Sequence, residues 1–156
     1  MAKSIKNYTS GISAASSMSS IEEKLVAVGA RDIHKSYNNK RECDAITFIM
    51  AVPDHPMPIH FKLPAKVDAC YEALWRLHVK SVKTKPLETT KQTIREQALR
   101  TAWKIIHDWV DIQITLIELQ QAEAMEIFLP YAYNSESKET FYEHMKKSKF
   151  IQLPNA

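Results

Sequence analysis

Glycine and cysteine are scarce in this sequence, and each scarcity excludes a class of protein. Only two glycines and two cysteines occur among 156 residues. Phosphate-cradling loops and dinucleotide fingerprints need several glycines at fixed spacing, so kinases and Rossmann enzymes are excluded, and no G-x-S-x-G motif marks a serine hydrolase. Cys43 and Cys70 lack C-x-x-C spacing, which favours two reduced thiols in a cytoplasmic protein over a disulfide.

Long apolar runs are also missing. No run approaches the ~18 residues that cross a bilayer, so we expect no membrane partner. The serine-rich start MAKSIKNYTSGISAASSMSS has no continuous apolar stretch of the kind that a secretory signal needs. We therefore predict a flexible leader over residues 1–18 and one domain over residues 19–150, a size that buries a core without disulfides.

Three runs rich in β-branched and aromatic residues predict a sheet in the first half of the domain, residues 19–80. They are RDIHKSY, DAITFIMAV and IHFKL, and the turn residues between them are typical of an antiparallel meander. A helix is predicted on each side. The first, IEEKLVAVGA, follows the capping candidates Ser19 and Ser20 and ends at Gly29, and the second, PAKVDACYEALWRLHVK, carries an apolar stripe.

The second half, residues 92–149, is predicted to be helical. Apolar residues recur at spacings of three and four from Thr93 to Phe128. One unbroken helix of that span would be about 54 Å long, which exceeds the ~30–40 Å breadth of a compact domain of this size. We therefore predict either a kink near Gln120-Gln121 or a helix that projects against a partner. The stretch SKETFYEHMKKSKF predicts a short final helix.

These elements predict an α+β fold, with a helix, a three-stranded antiparallel meander, a second helix, a long and kinked helix, and a short C-terminal helix. An open three-stranded sheet leaves unpaired edges, and the 93–128 segment is longer than a monomer needs. Both features favour a homo-oligomer.

The net charge of +3 conceals a sharp division along the chain. Residues 76–104 carry eight Lys or Arg against two Glu, a net charge of +6, whereas residues 105–143 carry eight acids against one Lys, a net charge of −7. This division is typical of a polyanion-binding surface, of two elements that pair with each other, or of an interface with another subunit.

The basic segment supplies the candidate nucleic-acid-binding residues. It spans a helix end, a polar connection and a helix start, so its cations are expected to converge on one patch that contacts phosphates, with Trp103 or Tyr71 as the stacking residue. Any exposed lysine-rich connection gives the same signal, so ordinary surface stays an alternative. The predicted contacts are Arg76, Lys80, Lys83, Lys85, Lys91, Arg95, Arg100 and Trp103.

The stretch TAWKIIHDWVDIQ, residues 101–113, raises the question of a metal or acid–base site. His107 and Asp111 are four residues apart and share one helix face, with Asp108 beside them. No HExxH motif and no acids from a second element accompany them. We therefore interpret these side chains as the solvated face of a packing helix, and predict no metal and no other cofactor.

Three stretches carry a family likeness: SIEEKLVAVGARDI, FKLPAKVDACYEAL, and the long segment from REQALR to FLPY. Together they resemble a family of short, uncharacterised proteins of phages and bacterial mobile elements, over roughly residues 8–143. The specific part is a W-x-x-x-x-D-W-x-x-x-Q segment followed by FLPY. In that family a glycine commonly breaks the helix before FLPY, whereas this chain has LQQAEAM there. The resemblance implies a phage context and no particular activity. Its matching positions are Trp103, Asp108, Trp109, Gln113, Phe128, Leu129, Pro130 and Tyr131.

We therefore predict a non-enzymatic, nucleic-acid-binding accessory protein, and leave open whether it binds DNA or RNA. The first alternative is a protein-interaction or inhibitor module of phage or mobile-element origin that contacts a protein partner through the helix 93–128. A metal-dependent enzyme that uses His107, Asp108 and Asp111 is the least favoured interpretation.

Overall fold

The computed structural model of the chain describes residues 5–85 and 87–149. It has the predicted α+β architecture, with helices packed on an antiparallel sheet. In chain order the elements are α1 (Ala14–Ala27), β1 (Arg31–Tyr37), β2 (Cys43–Met50), β3 (Ile59–Pro64), α2 (Val67–Ser81), α3 (Glu88–Glu118), α4 (Ala124–Phe128), a 3₁₀ turn (Leu129–Tyr131), β4 (Tyr133–Asn134), β5 (Glu139–Thr140) and α5 (Phe141–Lys147).

The three main strands form the predicted meander in the order β1-β2-β3. Alternate residues of a strand point to the same face, and on β2 these are the buried Ile46, Phe48 and Met50. Ile46 pairs with Leu63 of β3, and Phe48 pairs with Phe61, so one face of the sheet is apolar. β1 is mostly exposed and polar, which is how edge strands commonly avoid pairing with other chains.

The long helix α3 contacts both α1 and α2 and supplies the centre of the core. Trp103 is fully buried, and its indole Nε1 donates a hydrogen bond to the Cys43 carbonyl of β2, 3.0 Å away. Beside it, the rings of Phe48, Phe61 and Phe128 pack with their centroids between 5.3 and 6.0 Å apart. Aromatic clusters of this kind supply a large share of the burial energy of a small domain.

The structure corrects the boundary of the predicted leader. Helix α1 begins at Ala14, not after Ser19, and Ser13 caps it by accepting a hydrogen bond from the Ser16 amide, 3.1 Å away. The segment before α1 packs on α3, where Thr101 donates to the Asn7 carbonyl over 3.0 Å. Residues 5–18 therefore belong to the domain, and residues 1–4 of the predicted leader lie outside the described residues.

The predicted kink near Gln120-Gln121 is confirmed. Helix α3 starts at Glu88, five residues before the predicted start, and ends at Glu118. Gln120 then takes the left-handed backbone conformation, with φ at 55°, although glycine is the residue that adopts it without strain. The chain can turn back into α4 because of this reversal. No helix in the described part of the chain has both the length and the hydropathy to cross a membrane.

A small ribbon near the C-terminus was not predicted. Strands β4 and β5 pair over two residues each, and Ala132, just before β4, bridges to Phe61 at the edge of β3. Thr140 and Glu143 then form a reciprocal capping box that starts α5, within the stretch predicted to be a short helix. The ribbon extends the structure beyond β3, which leaves β1 as the exposed edge of the main sheet.

Candidate nucleic-acid interface

Four of the predicted phosphate contacts remain exposed and have no salt bridge among the described residues. They are Arg76, Lys80, Lys83 and Lys85, which we call the basic row. Arg76 and Lys80 lie four residues apart on α2, so they occupy the same side of that helix. Lys83 and Lys85 follow in the connection to α3. No acidic residue lies between Glu72 and Glu88, so the row is a local concentration of positive charge.

Two other predicted contacts are engaged within the protein. Lys91 donates to Glu88 Oε1 over 2.7 Å on the first turns of α3, and this contact raises the pKa of the lysine. Arg100 donates to Gln97 Oε1 over 2.6 Å and to the Ser10 carbonyl over 3.3 Å. Its guanidinium therefore holds the N-terminal segment on α3.

Arg95 is the most strongly paired cation of the segment. Its guanidinium donates to both carboxylate oxygens of Glu42, over 2.7 and 2.5 Å, and to Asp68 Oδ1 over 2.6 Å. The side chains of Arg95 and Glu42 are each 13 % exposed. The hydrogen bonds with Glu42, and then those with Asp68, raise the pKa of Arg95 further above its usual range, and the same bonds lower the pKa of Glu42. A cation so neutralised is a poor phosphate contact.

Arg95 instead supports a row of stacked rings on α2. Its guanidinium carbon lies 5.6 Å from the centroid of the Tyr71 ring. Tyr71 stacks on Trp75 with centroids 6.0 Å apart and planes 20° apart, and Trp75 lies 6.0 Å from His78 at 35°. We call Tyr71, Trp75 and His78 the aromatic ladder. It forms because these residues are four and three positions apart, one above another on the helix.

The structure excludes Trp103, one of the two predicted stacking residues, whereas the other, Tyr71, is a member of the aromatic ladder. Trp103 is fully buried and bonded to β2, so neither face of its indole ring is open to a base. Trp75 is half-buried and is not among the side chains that pack against the hydrophobic core. The i, i+4, i+7 spacing of the ladder is visible in the sequence, but it is also the spacing of a core stripe, and the apolar stripe predicted for PAKVDACYEALWRLHVK includes Trp75.

The ladder and the basic row flank one exposed surface of α2. At about 100° per residue around a helix, Arg76 and Lys80 lie roughly a third to a half turn from the ladder, with the 48 % exposed Val79 between them. On the other side of the ladder, His78 lines a groove of about 290 Å³ together with Tyr8, whose side chain is 42 % exposed. The surface therefore combines aromatic groups with unpaired cations.

The His107, Asp108 and Asp111 face of α3 is a network that attaches the N-terminal segment and α1. Asp108 accepts hydrogen bonds from Asn7 over 2.9 Å and from Lys104, and it lies 3.1 Å from His107 Nδ1. Burial favours a higher pKa for Asp108, but these hydrogen bonds outweigh it and hold the pKa well below its usual range. Lys24 of α1 reaches Asp111 over 2.5 Å and lowers the pKa of that carboxyl group.

Ser20, His107 and Asp108 are ordered like a nucleophile, a base and an orienting acid. The Ser20 hydroxyl lies 3.0 Å from His107 Nε2. Acyl transfer also needs hydrogen-bond donors for an oxyanion, and the backbone amides around Ser20 and His107 are committed to the interiors of α1 and α3. The described residues contain no group of three or more His, Cys, Asp or Glu side chains placed to hold a metal ion. We therefore interpret the network as an interhelical contact.

No family model, no curated protein and no solved structure matches this chain. The resemblance to phage and mobile-element proteins stays a prediction that rests on the sequence stretches quoted for it. The two cysteines are free thiols, and burial raises the pKa of both Cys43 and Cys70, which disfavours the reactive thiolate form.

Proposed function

We propose that this protein is a non-enzymatic nucleic-acid-binding protein, and that α2 with the connection after it forms the binding surface. The observation that carries the proposal is that the four cations of the basic row are exposed and form no salt bridge within the described residues, and that α2 also carries the aromatic ladder, whose Trp75 lies outside the core. Arg76 donates a hydrogen bond to the Glu72 carbonyl over 3.2 Å, but that contact leaves its charge unneutralised. Cations that form no ion pair within the protein can replace the counterions of a phosphate backbone.

The preferred ligand under this proposal is a single strand. The ladder offers ring surface to an unpaired base at His78 and at the exposed part of Trp75, whereas the bases of a duplex are stacked on each other and closed to side chains. The phosphates would follow Arg76, Lys80, Lys83 and Lys85 while a base stacks against Trp75 or His78. We place this activity in the cytoplasm, where such strands and reduced thiols occur together.

The test is fluorescence anisotropy with labelled single-stranded and double-stranded DNA and RNA, at low and moderate salt. Reversing the charge of Lys80, Lys83 and Lys85 to glutamate should weaken binding by roughly a hundredfold at low salt. Replacing Trp75 with alanine should weaken single-strand binding by roughly tenfold, because one stacked base contributes about 1–3 kcal/mol. The duplex affinity should change little in the Trp75→Ala protein.

The matched control reverses three exposed lysines near the C-terminus that form no ion pair within the described part of the chain: Lys138, Lys146 and Lys149. Both triple variants have the same net charge, so a difference between them reports the position of the charge and not its total. If both triple variants lose the same amount of binding affinity, the loss depends on the overall charge and not on the position of the basic row. Binding that survives reversal of the basic row would refute the proposal.

A further inference from the structure

Helix α3 carries an apolar stripe that the described residues leave partly uncovered, although Trp109 also packs on Phe128 and Tyr131. The stripe consists of Ile105, Trp109, Ile112, Leu116 and Leu119, which we call the α3 seam. Ile105, Ile112 and Leu119 are 39 %, 57 % and 63 % exposed, and Trp109 and Leu116 are half-buried. The spacings of four, three, four and three residues keep these side chains in one line along the helix, as in a coiled-coil contact.

The spacing of the seam is self-complementary. The interval from Ile105 to Leu116 is divided into steps of four, three and four, which reads the same in both directions. Two copies of α3 that run antiparallel therefore place Ile105 opposite Leu116 and Trp109 opposite Ile112, and each contact occurs twice. Such an isologous contact is the usual form of a closed dimer.

A cavity beside the seam suits the same arrangement. It measures about 160 Å³ and lies next to Ile105 and Trp109, where Leu63, Pro64 and Tyr131 complete an apolar wall. In the antiparallel register, Leu116 of one copy faces Ile105 of the other, and Leu119 projects one turn beyond it. Leu116 therefore faces the apolar cavity of the opposite copy, which Ile105 and Trp109 line.

The charges beside the seam do not oppose this contact. Asp108 and Asp111 border it, but Lys104 pairs with the first and Lys24 with the second within the same chain. Two copies can therefore approach without bringing unpaired acids together at the centre of the contact. A basic partner would have to break these internal pairs, so the neutral surface fits a second copy better than a charged partner.

We propose that the protein forms a homodimer through antiparallel pairing of the α3 seam. The seam is about 21 Å long and a helix about 10 Å wide, so the contact is smaller than the ~800 Å² per partner of a standard interface. The dimer is consequently a weak one, with a dissociation constant in roughly the micromolar range. The inference uses no residue of the basic row or of the aromatic ladder, and stands apart from the proposed function.

The test is sedimentation equilibrium of the full chain from about 5 to about 500 µM. The wild-type mass should rise from monomer to dimer over this range. Ile112→Glu should weaken association by roughly a hundredfold, because it buries a charge against an indole ring. Val26→Glu is the matched control, since Val26 lies on α1 and is 58 % exposed, against 57 % for Ile112; this variant should dimerise like the wild type.

Orientation is tested with two further variants. Ile105→Lys and Leu116→Glu should each associate poorly alone, and a mixture of the two should recover a heterodimer, because the antiparallel register places these positions opposite each other. In a parallel pair, recovery would instead require Ile105→Lys mixed with Ile105→Glu. A wild-type chain that stays monomeric at the highest concentration, or a dimer that Ile112→Glu leaves intact, would overturn the inference.

Discussion

Arg95 offers an internal comparison of what burial does to an ion pair. It contacts two carboxylates at nearly the same distance, Glu42 at 2.5 Å and Asp68 at 2.6 Å. The Glu42 side chain is 13 % exposed and the Asp68 side chain is 81 % exposed. Both carboxyl groups have a lowered pKa because of the same guanidinium. Arg95 makes two hydrogen bonds to Glu42 and one to Asp68, so if distance and the number of hydrogen bonds decided stability, Glu42→Gln would cost at most about twice as much as Asp68→Asn.

We expect the two substitutions to differ several-fold. Glu42→Gln leaves the guanidinium with only one carboxylate in a place that water reaches poorly, and should cost about 2 kcal/mol, below the range for a fully buried pair because Asp68 remains. Asp68→Asn removes a contact that water and salt already screen, and should cost at most about 0.5 kcal/mol. In a domain of this size these values correspond to a fall in Tm of about 4–8 °C against about 2 °C or less.

Urea denaturation near neutral pH, monitored by circular dichroism, measures the loss in the free energy of unfolding for both variants. The folded-state pKa of Glu42 is lowered, so its contribution is complete above the unfolded pKa of about 4.3 and is lost as the pH falls through the folded value. The difference in the free energy of unfolding between the wild type and Glu42→Gln should therefore decrease below about pH 4. Equal costs for the two variants, or a gap that widens in acid, would refute the reasoning.

Three further substitutions test the packing of the fold. Trp103→Phe should cost about 2–3 kcal/mol by urea denaturation, since it removes a buried hydrogen bond to Cys43 and leaves a small cavity. Gln120→Gly should raise the stability by about 0.5–1 kcal/mol, because glycine accepts the positive φ at the kink without strain; a loss of stability would contradict this. Asp108→Asn should speed amide hydrogen exchange in residues 5–13, which that carboxylate helps to hold, and unchanged exchange would show that other contacts suffice.

Much of the fold follows from patterns that are local in the sequence. The strict alternation of IHFKL in β3 indicates that Phe61 and Leu63 face the core, where both are buried, whereas β2 is recognisable as a strand only by its β-branched and aromatic residues. The length of the 93–128 segment indicates either a kink or a projecting helix, because a straight helix of 36 residues exceeds the breadth of a compact domain of this size, and the structure shows the kink. The sequence places the kink near Gln120-Gln121 but does not indicate that Gln120 takes a positive φ, because glutamine rarely adopts that conformation.

The start of α1 was missed for a physical reason. Serine has a low helix propensity because its hydroxyl competes for backbone hydrogen bonds, so the stretch from Ser13 to Ser20 indicates a leader. In the structure Ser17 and Met18 are buried, and the packing of this turn outweighs the propensity. Tertiary contacts of this kind are made with α3, some ninety residues away in the sequence, and no local pattern reports them.

The charge pattern of the sequence indicates which segment carries the candidate site, but it does not indicate which residues of that segment are available for binding. Sequence gives Arg95 and Lys83 the same weight, yet Arg95 pairs with Glu42, 53 residues away, whereas Lys83 has no ion pair within the described residues. Trp75 and Trp103 are likewise equivalent candidates for a stacking residue in the sequence. They differ only in the structure, where β2 packs on α3 and buries Trp103. Charge is therefore a guide to the region, and burial decides which members of the region are available.

The salt dependence of binding can separate these two sets of cations. Each phosphate contact on a single strand contributes about −0.7 to the slope of log Kobs against log salt concentration. The four cations of the basic row give a slope of about −3, whereas all seven predicted cations would give about −5. The measurement is best made on the Ile112→Glu protein, so that each binding event involves one chain. A slope near −5 would mean that the ligand breaks the internal ion pairs of Arg95 and Lys91 and binds these cations as well. The phosphate-binding surface would then include cations that are paired in the free protein.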